Sequence, residues 1–489
     1  MSIPVDYSFL VQSAGTANWS LVLYILEWVV RLVALVVIPR RKAPNSAMAW
    51  LVVIFLLPEL GVPLYLLLGN NRLPRRRLER HARLIQRYRT LRRRVEEHTS
   101  VVHPELEPSS LAAVTLAERL GSMPILGGNE VELMSRSSEF VRRLVADIDA
   151  ARHHVHLLFY IYAADATGRF VADALVRAAR RGVKCRVLAD AVGSRPMLRK
   201  LAPALAREGI EVQPALPVGL FRRRFARIDL RNHRKIAVID GRIAYTGSQN
   251  IVDPDYGTRR LVWHDLMVRL EGPVVLELQA VFVSDWYHET GEMIEGADVF
   301  PDAPQPGSIA VQTLPSGPNY PTENYQRLVV AAIYAARRQV TITTPYFIPD
   351  AAFLQALEVA VLRGIQVRLI APRRVDQVMV GAASRAYYQD VLEAGVELYL
   401  YRDGLLHAKT VSIDDDVAMI GSSNFDIRSF VLNFEINMVF YGPQVAGALQ
   451  AQQQCYLEQS DRVTLDQWKQ RPLAAQVFQN IAKLLSPLL

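Results

Sequence analysis

An eighteen-residue pattern occurs twice in this chain, and it constrains the fold more than any other feature. The first copy is His233-Arg234-Lys235-Ile236-Ala237-Val238-Ile239-Asp240, closing with Gly247-Ser248-Gln249-Asn250. The second is His407-Ala408-Lys409-Thr410-Val411-Ser412-Ile413-Asp414, closing with Gly421-Ser422-Ser423-Asn424. Both read H-x-K-x4-D-x6-G-S-x-N, and each position of the second lies 174 residues after its twin. A long pattern repeated at one offset implies two related structural units.

The repeat extends beyond the motif. In the first half a strand-like run, His154 to Tyr162, precedes a helical pattern from Phe170 to Arg180, then Arg181-Gly182 and an apolar run Val183–Leu188. In the second half Val340 to Asp350 precedes a helical pattern from Phe353 to Leu362, then Arg363-Gly364 and Ile365–Ile370. Strand, helix, glycine stop and strand describe a βαβ unit. The expected class is therefore α/β, with mainly parallel sheets covered by helices. The glycines are 182 residues apart, so the first half is eight residues longer between glycine and motif. The excess includes Leu220 to Arg227, basic and aromatic, either a solvated loop or a flap touching headgroups at the mouth of a site. Asp298 to Gly307, with Pro301, Pro304 and Pro306, reads as a linker. The expected division is 122–297 for the first half, 298–307 for the linker and 308–489 for the second half.

Upstream the character changes. A hydrophobic fraction of 51% beside 21% charged residues suggests a membrane segment attached to a globular body. Trp19 to Ile38 is long enough to span a bilayer, and its Glu27 and Arg31 stand four apart on one helical face, where they can pair. Ala47 to Leu68 is a second apolar run, interrupted by Pro58-Glu59 and Gly61-Val62-Pro63. Residues 1–70 thus predict a transmembrane helical hairpin with spans near 19–38 and 47–68, the second of which could instead be re-entrant. Residues 1–18 hold no Lys or Arg, so no secretory n-region is expected. From Arg72 to Arg94 there are eleven arginines and one acidic residue, Glu79, with Leu78, Ile85 and Leu91 interleaved. Residues 71–121 therefore predict a basic amphipathic region on anionic headgroups. The positive-inside rule puts this end and the body on the cytoplasmic side of a cell membrane. Arg40-Arg41-Lys42 between the two runs argues the other way, with three charges against eleven. A net charge of +8 would also suit nucleic acid, but the arginines abut an apolar hairpin.

The motif itself carries chemistry. On a strand, His233 and Lys235 share a face, as do His407 and Lys409. Asp240-Gly241 is a hairpin-turn signal, and Asp414-Asp415 a weaker one. Gly247 and Gly421 would let backbone amides approach an anion, while Ser248, Asn250, Ser422 and Asn424 add neutral donors. Two such sets facing one another suit phosphoester displacement by a covalent route, one imidazole attacking phosphorus and the other protonating the leaving oxygen. The lysines would offset charge on the phosphoryl oxygens. A metal centre fits this set poorly, because a protonated lysine repels the ion. Asp414-Asp415-Asp416 lacks calcium-loop spacing, and His153, His154 and His156 read as the edge of a strand. Cys185 and Cys455 make no zinc site or disulfide framework, and Cys185 reads as a core thiol.

These two copies resemble the HKD motifs of the phospholipase D superfamily. The resemblance implies two pseudo-symmetric phospholipase-D-like halves about a pseudo-two-fold axis, with one site at their interface and neither metal nor cofactor. It groups His233, Lys235, Asp240, His407, Lys409 and Asp414 as the catalytic motif, although Asp240 and Asp414 look more structural than chemical. It implies phosphate contacts from Lys235, Lys409, Asn250 and Asn424, with Ser248 and Ser422 nearby. It also implies a later carboxylate orienting each histidine, where Asp265 and Glu435 stand. The usual assignment makes His233, in the first half, the nucleophile. Within the superfamily, Ala49-Trp50-Leu51, Leu57-Pro58, Gly61, Tyr65 and Gly69 look like the membrane hairpin of bacterial cardiolipin synthases. Thr344 to Pro349 and Asn433 to Asn437 are also similar to theirs. That resemblance implies a transferase converting two phosphatidylglycerols into cardiolipin and glycerol at an inner membrane. Phosphatidylglycerol and anionic lipid would be its partners, with no nucleic acid expected. Alternatives on the same fold are a hydrolysing phospholipase D, a transferase using another alcohol, and a nuclease.

Overall fold

The computed structural model describes residues 8–42, 44–69, 77, 79–84, 101–104, 108–121, 123–218, 229–257, 261–320 and 323–484. The expected flap, Leu220 to Arg227, lies outside them, as do Leu78, Ile85, Leu91 and most of the arginine run. The described chain forms two units, 1–72 and 73–489.

In the first unit, Ser8–Val37 is one helix. Its stretch Trp19–Val37 is the one helix among the described residues long and apolar enough to cross a membrane. Its Leu, Val and Ile side chains are exposed apart from the half-buried Val30 and Val37, and Arg31 bonds Glu27 at 3.1 Å, the expected pair. The second apolar run is not one continuous span. It forms two helices, Pro44–Leu56 and Pro58–Leu68, that fold back on each other at Leu57. The Trp50 and Tyr65 rings meet edge-on at 5.4 Å, and a Cβ added at Gly61 would lie 2.8 Å from the Ile54 Cα. Pro58 removes a backbone donor at the break, and Gly61 lets the two limbs touch.

The second unit is built on one sheet of fifteen strands. At its centre Leu126–Met134 pairs antiparallel with Ile309–Ser316. From that pair the first half runs outward through Met267–Glu271, Ile243–Gly247, Lys235–Ile239, His154–Phe159, Lys184–Asp190 and Glu211–Ala215. The second half runs outward in the same order through Glu435–Tyr441, Val417–Gly421, Thr410–Ile413, Gln339–Thr343, Gln366–Pro372 and Glu397–Tyr401, with Ser460–Val463 added at the edge. The palindromic order is the repeat expressed as a pseudo-two-fold axis between the two central strands.

The α/β class and the two halves are as expected, but within this large sheet parallel pairing is confined to the outer strands of each half. The eight inner strands are antiparallel throughout. Only the βαβ segments have a helix long enough to return the chain in the same direction, whereas the motif strands are joined by tight turns. Asp165 and Asp350 cap the crossover helices Ala166–Arg180 and Ala351–Leu362 at equivalent places. Gly182 and Gly364 follow those helices with positive φ, 89° and 82°. Residues 301–306 between the halves hold no helix or strand. Cys185 is buried, and burial pushes its thiol up to about 12.

Candidate active site

Each histidine stands just before its motif strand, and each motif aspartate stands just after it. Asp240 accepts the backbone N–H groups of Arg152, His153 and His154 at 2.8–2.9 Å. Asp414 accepts those of Arg337, Arg338 and Gln339 at 2.8–3.0 Å. Both adopt the left-handed conformation that a tight hairpin needs, with φ of 53° and 48°. Seven residues of extended chain put them roughly 23 Å from the histidines. They are therefore turn residues, and the grouping of Asp240 and Asp414 with the chemistry is corrected.

The orienting carboxylates reach the histidines by exchange between the halves. His233 Nδ1 is 2.9 Å from Glu435 of the second half, and His407 Nδ1 is 2.6 Å from Asp265 of the first. A carboxylate only accepts, so Nδ1 carries the proton and Nε2 is the ring nitrogen left for the cavity. The exchange follows from short pairings across the axis. Trp263-His264 runs parallel to Leu405-Leu406, and Asn232 bridges to Phe434. His233 N donates to Phe434 O at 2.8 Å, and His407 N donates to His264 O at 2.7 Å.

The serines do not stand at the phosphate position expected of them. Ser248 Oγ donates to Asp265 at 2.6 Å, and Ser422 Oγ donates to Glu435 at 2.5 Å. Each hydroxyl also accepts the backbone N–H of the residue after its carboxylate, Leu266 or Ile436, at 2.9 Å. Both serines are fully buried behind the carboxylates. The preceding glycines likewise serve packing rather than an anion. A Cβ at Gly247 would lie 2.4 Å from Leu266 O, and one at Gly421 would lie 2.5 Å from Ile436 O. The carboxylate-bearing strand therefore approaches closely only because both positions are glycine.

His233, His407, Asn250 and Asn424 line one cavity of about 300 Å³. Asn250 Oδ1 accepts the Ile161 N–H at 3.0 Å, which leaves its amide group free to donate. Asn424 Oδ1 is buried with no partner. Lys235 and Lys409 lie beneath, almost wholly buried, each donating to the carbonyl of its own histidine. Burial lowers Lys235 to about 8 and holds Lys409 well below the usual range. Burial, followed by the Lys409 charge, lowers His407 to about 3, against the pull of Asp265. Burial and the two lysines also lower His233, against Glu435. Burial works against ionisation of Asp265, but His407, Lys409 and Ser248 outweigh it and hold the carboxyl at about 2. Glu435 is likewise held low by His233, Lys235 and Ser422 against burial. The site thus holds two neutral imidazoles, each with a fixed tautomer, above two buried lysines.

Sequence reasoning missed several cavity residues. The Tyr160 ring packs edge-on against His233 at 4.8 Å, and Trp263 packs against His407 at 4.6 Å. Arg231, Tyr346, Asp376 and Arg428 also line the cavity. Trp263 was findable, because it stands two residues before Asp265 as Asn433 stands before Glu435. Arg231 and Arg428 gave no such signal, since the equivalent positions in the other copy are Leu405 and Pro254. No group of metal-ligating side chains is present among the described residues.

A family model described as "Cardiolipin synthase, PLD-like domain" matches residues 144–286 and 329–455. A second, "Phospholipase_D-nuclease N-terminal", matches residues 29–70. Cardiolipin synthase A of Pectobacterium atrosepticum is 38% identical over 467 residues, 94% of this chain and 96% of that one. Cardiolipin synthase A of Yersinia pseudotuberculosis is 38% identical over 470 residues, with the same coverage. Among solved structures, a phosphatidylserine synthase from Haemophilus influenzae superposes with a TM-score of 0.61 at 14% identity, covering 77% of this chain and all of that one.

Proposed function

This chain belongs to the cardiolipin synthase family of phospholipase-D-like enzymes, and from that premise we propose that it is a membrane-bound phosphatidyltransferase making cardiolipin and glycerol from two phosphatidylglycerols. The observation that carries this reading is the pair of histidines on one cavity, each held by a carboxylate from the opposite half.

The first phosphatidylglycerol binds with its phosphodiester over Asn250, Asn424 and the two lysines. Burial and then the lysines keep the imidazoles neutral, and the negative charge of the phosphodiester works against both, so His407 takes up a proton at Nε2. His233 Nε2 attacks phosphorus. The N–P bond forms, the bond to the glycerol oxygen breaks, and His407 gives its proton to that oxygen. Glycerol leaves. The hydroxyl of a second phosphatidylglycerol enters, gives its proton to His407 and attacks phosphorus. The N–P bond breaks, cardiolipin departs and His233 is restored. Glu435 and Asp265 stabilise whichever imidazole is positively charged at each stage.

The setting supports a lipid substrate over a nucleic acid. The helix Trp19–Val37 is long and apolar enough to cross the bilayer once. The limbs that follow, of 13 and 11 residues, are about 20 Å and 16 Å long, against a hydrocarbon core of about 30 Å. We read them as a re-entrant pair rather than a second crossing. That places Arg40 to Lys42 and the Arg72–Arg94 run on one side, the cytoplasmic one, and removes the conflict between them.

The test is to supply vesicles whose only lipid is phosphatidylglycerol and to follow the products. Cardiolipin with equimolar free glycerol is expected. Phosphatidic acid with little cardiolipin would show that water resolves the intermediate, and would sink the transferase reading.

A further inference from the structure

In the basic segment after the membrane unit, Arg83 is exposed, but Arg77 and Arg80 turn toward the body. Arg77 is 4% exposed. Its guanidinium bonds Glu289 and stands 3.6 Å from Asp285, both on the helix Val274–Thr290. It also lies over the Phe434 ring, 4.6 Å from the centroid. One turn later Arg80 donates to the backbone carbonyls of His288 and Glu289 at 2.6 Å and 3.0 Å, at the end of the same helix.

The two carboxylates beside Arg77 lead to the neighbours of His233. Asp285 accepts from Arg234 at 2.6 Å and from Asn232 at 3.1 Å. Glu289 accepts the Leu216 N–H at 3.2 Å, and the Leu216 carbonyl in turn accepts from Arg231 at 3.2 Å. Phe434, under the guanidinium, immediately precedes Glu435, and its carbonyl takes the His233 N–H. The residues on both sides of His233, and the one before its carboxylate partner, are thus all tied to groups that Arg77 touches.

The other half has no equivalent. Where the first motif has Arg231, Asn232 and Arg234, the second has Leu405, Leu406 and Ala408, all fully buried. Gly272-Pro273 and Gly442-Pro443 begin the equivalent helices, which puts Cys455 and Gln459 at the places of Asp285 and Glu289. One histidine is framed by apolar packing and the other by an ionic frame with a member from outside both halves.

We propose that Arg77 is a positioning residue for the His233–Glu435 pair, bridging Asp285 and Glu289 so that the chain on either side of His233 is held in register with the strand bearing Glu435. This rests on the reading of His233 as a reacting group. Its consequence is that the segment joining membrane and body completes one half of the catalytic centre as well as tethering it. Misplacing a reacting group by about 1 Å costs on the order of 100-fold in rate, so loss of Arg77 should appear in turnover rather than in lipid binding.

The experiment uses the full chain in mixed micelles of phosphatidylglycerol, with kcat and KM read against lipid mole fraction. R77A should lower kcat by about 10- to 100-fold and leave KM within about twofold. R77K should recover only part of this, because an ammonium is a point charge and cannot bridge two carboxylates as a planar fork does. Millimolar guanidinium should restore activity to R77A and not to R77K. R80A loosens the same segment by removing bonds to backbone carbonyls only, leaving the side-chain bonds of the frame in place, and should lose far less than R77A. The proposal is overturned if R77A raises KM at unchanged kcat, if R80A loses as much as R77A, or if R77A loses nothing. If R77A aggregates, R77K with D285N carries the test: both should lower kcat at constant KM, and wild-type kcat in both would overturn it. H233A separates the two readings, since full activity there would sink the role of His233 and not the frame around it.

Discussion

Glu435 and His233 are 202 residues apart in the chain and 2.9 Å apart in the fold. Asp265 and His407 make the reciprocal pair at 2.6 Å. Each half supplies an imidazole it cannot orient and a carboxylate it cannot use. The proposed catalytic centre is therefore a property of the interface, and damage to one half should disable the histidine of the other.

Glu435→Gln keeps the size of the side chain and removes the charge that supports a protonated His233. We expect kcat to fall by about 10²- to 10⁴-fold, with KM for phosphatidylglycerol little changed. Asp265→Asn should do the same through His407. A fall in lipid affinity with kcat preserved would place these carboxylates at the headgroup instead.

The nucleophile can be assigned by trapping. His407→Ala slows both steps, but the second also lacks its base, so a phosphatidyl adduct should be detectable on His233 in a digest quenched with neutral denaturant, which spares the acid-labile N–P bond. His233→Ala should give none. An adduct on His407 in the latter variant would reverse the assignment.

Stability should depend on pH through histidines buried in their neutral form. His154 is almost fully buried, neither ring nitrogen has a partner, and burial lowers it from 6.5 to about 4. The unfolded chain binds this proton more readily, so the stabilisation is whole above pH 6.5 and is lost as pH falls toward 4. A shift of this size corresponds to about 3 kcal/mol. His407, lowered to about 3, adds loss in the same direction. Thermal melts of the detergent-solubilised protein between pH 7 and 4 should show a falling Tm, with a shallower fall in His154→Phe. An identical slope in that variant would remove His154 as a source.

Single cysteines can report the membrane path, after Cys185 and Cys455 are replaced by serine. Cysteines at Arg41 and at the exposed Lys469 of the body should label from the same side of sealed vesicles if the second apolar run is re-entrant. Labelling from opposite sides would restore two full crossings.

Much of this was legible because the chain repeats itself. The offset between His233 and His407 carried over to the lysines, the asparagines and the two halves of the sheet. Asp265 and Glu435 could be picked out, but not which histidine each serves, because exchange between halves leaves no mark on spacing. Ser248 and Ser422 carried the donors a phosphate wants, and only the approach of the next strand at Gly247 and Gly421 shows them spent on carboxylates. The fold-back at Leu57 needed the packing of Ile54 on Gly61 to tell it from a kink. Arg77 was hidden by its company, since one buried arginine among eleven looks like the rest.

The exchange also has a consequence in time. A ribosome makes the membrane helix first, then His233, and reaches Glu435 only 202 residues later. At 5–20 residues per second that is about 10–40 s, during which the growing chain can already be anchored among its substrates. Throughout that interval His233 has no carboxylate to fix its tautomer, and for the first 174 residues of it no second imidazole has been made. A chain stalled before residue 407 should therefore release no glycerol from phosphatidylglycerol. On the proposed reading, the chain stays inert toward the lipid around it until both histidines and both carboxylates have been made.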